Sequence, residues 1–111
     1  MKIETQNHND ITALLLQGEL SSEVANTLQE SARNAIAAGA TGIVIDMENI
    51  TFIDSVGLET LLWLRDYCQE NNRQFKIAAL DENCKTIMEI TRLADQLDSY
   101  NQLTEAVKSF V

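Results

Sequence analysis

Ile43-Val44-Ile45-Asp46-Met47-Glu48-Asn49-Ile50-Thr51-Phe52-Ile53-Asp54-Ser55-Val56-Gly57-Leu58 is the stretch on which the reading of this chain turns. Gly42 to Asp46 opens it as a continuous apolar run bounded by turn signals, the pattern of a strand covered on both faces and therefore central in a sheet. Asp46 marks the expected end of that strand. From Ser55 to Glu70 the period changes. Leu58, Leu61, Leu62, Leu64 and Cys68 fall on one arc at about 100° per residue, which predicts an amphipathic helix capped by Asp54 or Ser55.

Residues 2–7 and 11–16 read as two short strands, with Ile3 and Thr5 alternating in the first and Ile11, Ala13 and Leu15 in the second. Asn7-His8-Asn9-Asp10 is the polar turn of a hairpin. After Gly18-Glu19-Leu20, Ser21 or Ser22 caps a first helix that carries Val24, Ala25, Leu28, Ala32, Ala35 and Ile36 on one stripe and stops at Gly39. Beyond the central stretch, Phe75 to Leu80 is a strand, a third helix runs from about Asn83 to Leu93, and Leu97 to Tyr100 forms a short edge strand. A last helix opens near Asn101 and repeats Leu103, Ala106, Val107 and Phe110. This order predicts an α/β fold: a mixed sheet of four to five strands with about four helices, placed mainly on one face by right-handed crossovers.

Composition bounds the function. The 111 residues hold 8 Lys and Arg against 17 Asp and Glu, a net charge of −9, with 45% hydrophobic and 5% aromatic residues. That length fits one domain over residues 1–111 with a core that needs neither disulfides nor a metal. The acidic balance argues against nucleic acid, because counterion release on phosphate backbones needs clustered Lys and Arg. The longest apolar runs, Ala13 to Leu16 and Gly42 to Ile45, fall far short of the ~20 residues that cross a bilayer, so no membrane insertion is expected. Met1-Lys2-Ile3-Glu4-Thr5-Gln6 lacks the basic start and apolar centre of a secretion signal, and Cys68 and Cys84 are not a close pair. A cytoplasmic protein with reduced thiols and no cofactor is the expectation.

The central stretch resembles the STAS domain, the fold of bacterial anti-sigma factor antagonists. In that family a buried strand ending in Asp leads through a loop to an Asp-Ser-x-Gly-Leu motif that opens a helix. Asp54-Ser55-Val56-Gly57-Leu58 matches it position by position, and Gly18-Glu19-Leu20, the order of elements and the length extend the resemblance over nearly the whole chain. The resemblance implies a single STAS-like domain in which Ser55 is the phosphoacceptor. It further implies a partner, an anti-sigma factor with a GHKL-type ATPase fold that is also the serine kinase, and a PP2C-type phosphatase that restores the serine. Two positions depart from the pattern. Val56 stands where many antagonists carry a second hydroxyl, leaving Ser55 as the one acceptor in the motif, and Ser21 stands where an Asp often follows Gly-Glu-Leu. The superfamily also supplies constitutive subunits of ABC-type lipid transporters and modules of stress-signalling assemblies, which is the alternative reading.

Ser55 is suited to a phosphate on physical grounds as well. A helix start presents unpaired N–H groups and the positive end of the helix dipole, so a phosphate there is tolerated locally while it adds about −1.5 to −2 charges to the surface. Gly57, without a Cβ, allows another backbone to come close. Val56, Thr60, Trp63 and Tyr67 recur at spacings of four, three and four on the arc away from Leu61, Leu64 and Cys68. This band is expected either to dock a partner, since Trp and Tyr anchor interfaces, or to pack on a flank of the fold. The expected partner-binding set is therefore Asp54, Ser55, Val56, Gly57, Thr60, Trp63 and Ser21.

Enzyme readings find little support. A nucleophile elbow needs Gly-x-Ser-x-Gly, but Ile53 stands two before Ser55, and His8, the one histidine, lies in a distant turn. Neither a Gly-x-x-x-x-Gly-Lys phosphate loop nor a close Cys/His set occurs. Asp46 and Asp54 flank one loop, yet ending a strand and capping a helix account for both. Cys84, near the start of the third helix, is a candidate for a dipole-lowered pKa, with a quiet, partly buried thiol as the favoured reading.

Overall fold

Five strands build one sheet, the central ones buried on both faces. The computed structural model describes residues 2–110, in which β1 (Lys2–His8) and β2 (Ile11–Leu20) form a hairpin. There follow α1 (Ser22–Ala37), β3 (Gly42–Ile53), α2 (Ser55–Glu70), β4 (Gln74–Ala78), α3 (Glu82–Ile90), a 3-10 turn at Leu93–Asp95, β5 (Ser99–Tyr100) and α4 (Leu103–Lys108). The strands lie in chain order, β1-β2-β3-β4-β5, with β1 antiparallel to β2 and every other neighbour parallel. The mixed five-stranded sheet with four α-helices agrees with the expected architecture.

The two faces of the sheet are covered unequally. Leu14 and Leu16 of β2, Ile43, Ile45 and Met47 of β3, and Phe75 and Ile77 of β4 meet Leu28 and Ala32 of α1, Leu61, Leu64 and Cys68 of α2, and Cys84 and Met88 of α3 in one large core. On the opposite face, Ile11, Val44 and Ala78 pack against Ala106 of α4, flanked by Leu103, Val107 and Phe110. Three helices therefore share one face and the last lies on the other. Lys76, buried on that second face, fastens α4. Its ammonium donates to Ser109 Oγ at 2.6 Å and lies 4.4 Å from the Phe110 ring centroid, with Asp98 Oδ2 3.8 Å away.

The structure corrects the strand ends. β2 and β3 were expected to stop at residue 16 and at Asp46, but they continue together to Leu20 and Ile53. Past Asp46, β3 pairs with β2 alone, through Gln17↔Asn49, Gly18↔Ile50, Glu19↔Phe52 and Leu20↔Ile53, because β4 ends at Ala78 opposite Asp46. Register shifts fall between Leu15 and Gln17 and between Gly18 and Glu19, and Gly18 has φ 114°, a conformation bulges reserve for glycine. The shifts break the two-residue alternation, so Glu48 and Asn49 are both exposed and the segment looks like a loop in sequence. Asp46 thus does not end the strand. It is buried, and its Oδ1 accepts the Glu48 N–H at 3.0 Å just where β4 leaves off.

Candidate functional site

The protruding β2–β3 ribbon delivers the chain to the start of α2. At its tip the Asp54 N–H donates to the Leu20 carbonyl at 3.2 Å, which ties the end of β3 to the end of β2. Asp54 is extended (φ −103°, ψ −177°) and is the N-cap: its Oδ1 accepts the Gly57 N–H at 2.8 Å, while its carbonyl accepts the Leu58 N–H at 3.0 Å. Of the two expected caps, Asp54 is the one used. Ser55 is then the first residue of α2, and it is exposed. Its hydroxyl takes no part in capping, and it sits at the positive end of a 16-residue helix.

Gly57 is buried, and the backbone that comes close to it belongs to this chain. A Cβ there would fall well inside contact distance of the Leu20 carbonyl oxygen and 3.0 Å from Ile53 Cγ1. The expectation that Gly57 opens a path for a partner's backbone is therefore corrected: the missing side chain lets α2 seat on the end of β2. Thr60 is corrected as well. It is only 3% exposed and its hydroxyl donates to the Val56 carbonyl at 2.8 Å, so it belongs to the buried stripe of Gly57, Leu61, Leu64 and Cys68 and offers no contact to a partner. The stripe is wider than the leucine spacing indicated because α2 packs on both the sheet and α1.

Trp63 and Tyr67 stack at 4.9 Å with an interplanar angle of 7°, and the Arg33 guanidinium of α1 lies 5.2 Å from the Trp63 centroid. Trp63 is half-buried against the main core. Tyr67 is half-buried beside it, so both rings keep part of their surface open on this flank. Val56 is half-buried beside Ser55. Ser21 directly follows Leu20, holds the N-cap position of α1 without a side-chain cap bond, and lies half-buried at the same end of the sheet. The structure thus brings Ser21, Asp54, Ser55, Val56 and Gly57 together around the Leu20 carbonyl and leaves Thr60 and Trp63 away from this surface.

One feature of this end escaped the sequence reading. Phe52 is 53% exposed on the unpaired side of β3, two residues before Asp54. Ile50, Phe52 and Ile53 face Asp81, Cys84 and Ile87 across a groove of about 310 Å³. Period-two reading puts Ile50 and Phe52 on one face, and only the register shift turns Phe52 outward.

The remaining chemistry is quiet. Cys84 is buried behind Asp81, the N-cap of α3, and burial together with the Asp81 carboxylate pushes its thiol up to about 11. Burial likewise pushes Cys68 up to about 11. Neither is a reactive thiolate, so the dipole-lowered alternative for Cys84 is overturned by desolvation. Among the described residues there is no group of three or more His, Cys, Asp and Glu placed to hold a metal ion, and no helix is long and apolar enough to cross a membrane.

The bulged parallel ribbon thus presents Ser55 exposed at the start of an Asp54-capped helix. The chain belongs to the STAS domain family, whose model matches residues 2–106. It is 26% identical over 105 residues to the anti-sigma-B factor antagonist of Staphylococcus epidermidis, covering 95% of this chain and 96% of that one. It is 32% identical over 59 residues to the anti-sigma-F factor antagonist RsfB of Mycobacterium tuberculosis. That match covers 53% of this chain and 48% of RsfB, so here the similarity spans about half the relative's length. Among solved structures, the anti-sigma factor antagonist SpoIIAA in its unphosphorylated form superposes with a TM-score of 0.82 at 17% identity, covering 98% of this chain and 96% of that one. The phosphorylated form of Bacillus SpoIIAA superposes at 0.75, with 17% identity and 99% and 100% coverage. These two structures share the fold.

Proposed function

We propose that this chain, acting as one STAS domain over residues 1–111, is an anti-sigma factor antagonist whose binding is switched off by phosphorylation of Ser55. The observation that carries the reading is Ser55 itself, exposed at the first position of the Asp54-capped helix in a chain similar along nearly its full length to an antagonist of this kind. Unphosphorylated, the surface of Ser21, Ser55 and Val56 packs against the anti-sigma factor and so frees a sigma factor. The partner is a GHKL-type serine kinase in the cytoplasm, which transfers the γ-phosphoryl group of ATP to Ser55 Oγ. The new O–P bond forms as the bond to ADP breaks, and the hydroxyl proton passes to a base on the kinase. The product phosphoserine then faces the phosphates of the bound ADP, and like-charge repulsion with added bulk opens the interface. A PP2C-type phosphatase hydrolyses the ester and restores the hydroxyl. The chain is in this scheme a substrate and a switch, not a catalyst.

The test is to incubate the purified chain with ATP and each such kinase encoded in its source genome, and to map phosphate by mass spectrometry. One phosphate on Ser55, absent from Ser55→Ala, is expected. A chain that no kinase phosphorylates, but that co-purifies with an ABC-type ATPase irrespective of Ser55, would instead be a constitutive transporter subunit.

A further inference from the structure

The end of the molecule that carries Ser55 also exposes apolar surface. Phe52 is 53% exposed, although burying an aromatic ring is among the larger gains a fold can make. The ring is left out because β3 runs on past the end of β4, so beyond Asp46 its outer side has no strand beside it. The resulting groove, about 310 Å³, is walled by Ile50, Phe52 and Ile53 of the ribbon and by Cys84, Thr86 and Ile87 of α3. On α3 the apolar stripe continues from Ile87 to Ile90, three residues on and 76% exposed. At this size the groove takes a side chain or two of a docking protein.

The charge around the groove identifies what fits it. Between Ile3 and Leu64 the chain contains a single Lys or Arg, Arg33, and that one lies over Trp63 on the far flank. Asp81 lines the groove, Glu82 follows it with its side chain 93% exposed, Glu19 pairs across the ribbon with Phe52, and Asp54 lies two residues beyond. The groove-lining residues include no basic side chain. Lys85 lies 3.8 Å from Glu82, but the other rim carboxylates Asp81, Glu19 and Asp54 would still face like charge on a second copy of the chain, itself carrying −9.

We propose that the Phe52–Ile87 groove is the apolar anchor site for the kinase partner, taking an apolar side chain that the partner presents within a rim of Lys and Arg. This rests on the function proposed above and deepens it. The interface extends from Ser55 across the ribbon tip onto the start of α3, with Phe52 as its dominant residue. Binding and switching are then divided between two features: the groove supplies affinity through apolar burial, and Ser55 decides whether the approach is permitted.

Calorimetric titration of each purified GHKL-type kinase of the source genome, with ADP bound, into the wild-type chain, Phe52→Ala, Phe52→Leu and Glu82→Gln tests this at 50 and 300 mM salt. Truncating a dominant interface aromatic costs about 2 kcal/mol or more, so Phe52→Ala is expected to bind roughly 30-fold or more weakly, with Phe52→Leu in between. Its circular dichroism and melting should match wild type, since the ring is mostly solvated. Wild-type affinity should fall with salt, and Glu82→Gln should fall less steeply. Wild-type affinity in Phe52→Ala would overturn the groove while leaving the Ser55 switch standing. Failure of every kinase to bind the wild type would overturn both. A Phe52-dependent dimer in sedimentation of the chain alone would assign the groove to a second copy and overturn the proposal.

Discussion

At Gly57 the demand on a single residue is steric. Its Cα faces the Leu20 carbonyl, and this contact seats α2 on the ribbon while Asp54 caps the same turn. Gly57→Ala gains up to about 1 kcal/mol of helix propensity but forces a backbone apart at a site where overpacking costs about 1–3 kcal/mol. The expected net loss is roughly 1–2 kcal/mol, measured by denaturant titration. Asp54→Ala should cost about 1 kcal/mol, and Asp54→Asn or Asp54→Ser should recover most of it. The motif was legible at this scale: Asp54 as cap and Ser55 as an exposed helix start follow from residue type and order. The contact that Gly57 makes was not, because a glycine next to a helix start reveals that something comes close without revealing what. Thr60 was misplaced for a related reason, since its hydroxyl is satisfied by the Val56 carbonyl and a buried threonine then looks no different in sequence from an exposed one.

Among the elements, all five strands and four helices were foreshadowed by hydrophobic period, and the length of the ribbon was not. Glu48, Asn49 and Thr51 read as loop because the register shifts turn consecutive residues outward, and period-two reasoning has no way to register a bulge before the pairing is known. The exposure of Phe52 was hidden by the same shift. At the other end of the fold, α4 is one short helix on an otherwise separate face, held by the contacts of Lys76 with Ser109 and Phe110. Hydrogen bonds to charged groups contribute about 1.5–3 kcal/mol. Lys76→Ala is therefore expected to lower stability by about 2 kcal/mol and to raise amide exchange in residues 103–108 before the rest of the chain. Uniform exchange across α3 and α4 would contradict that assignment.

The whole molecule responds to pH through its two buried thiols. Both are raised in the fold from 9.0 to about 11, so the folded chain holds protons that the unfolded chain has already released. Their contribution is complete below pH 9 and is lost as pH rises toward 11. Urea unfolding from pH 8 to 11 should show this fall, and a Cys68→Ala, Cys84→Ala double variant should show a shallower one. Charge is the second global property: at −9 the molecule is already strongly anionic, and phosphate on Ser55 changes its total by a modest fraction while changing the helix start completely. The proposed switch is therefore expected to be local, acting on one interface and leaving the fold intact. The direct test is the affinity of the proposed GHKL-type kinase partner for Ser55→Asp and Ser55→Ala, measured side by side with wild type. Ser55→Ala is expected to bind as wild type does and to resist release by ATP, while Ser55→Asp, folded and equally stable, is expected not to bind. Equal affinity for the two variants would contradict the proposed switch.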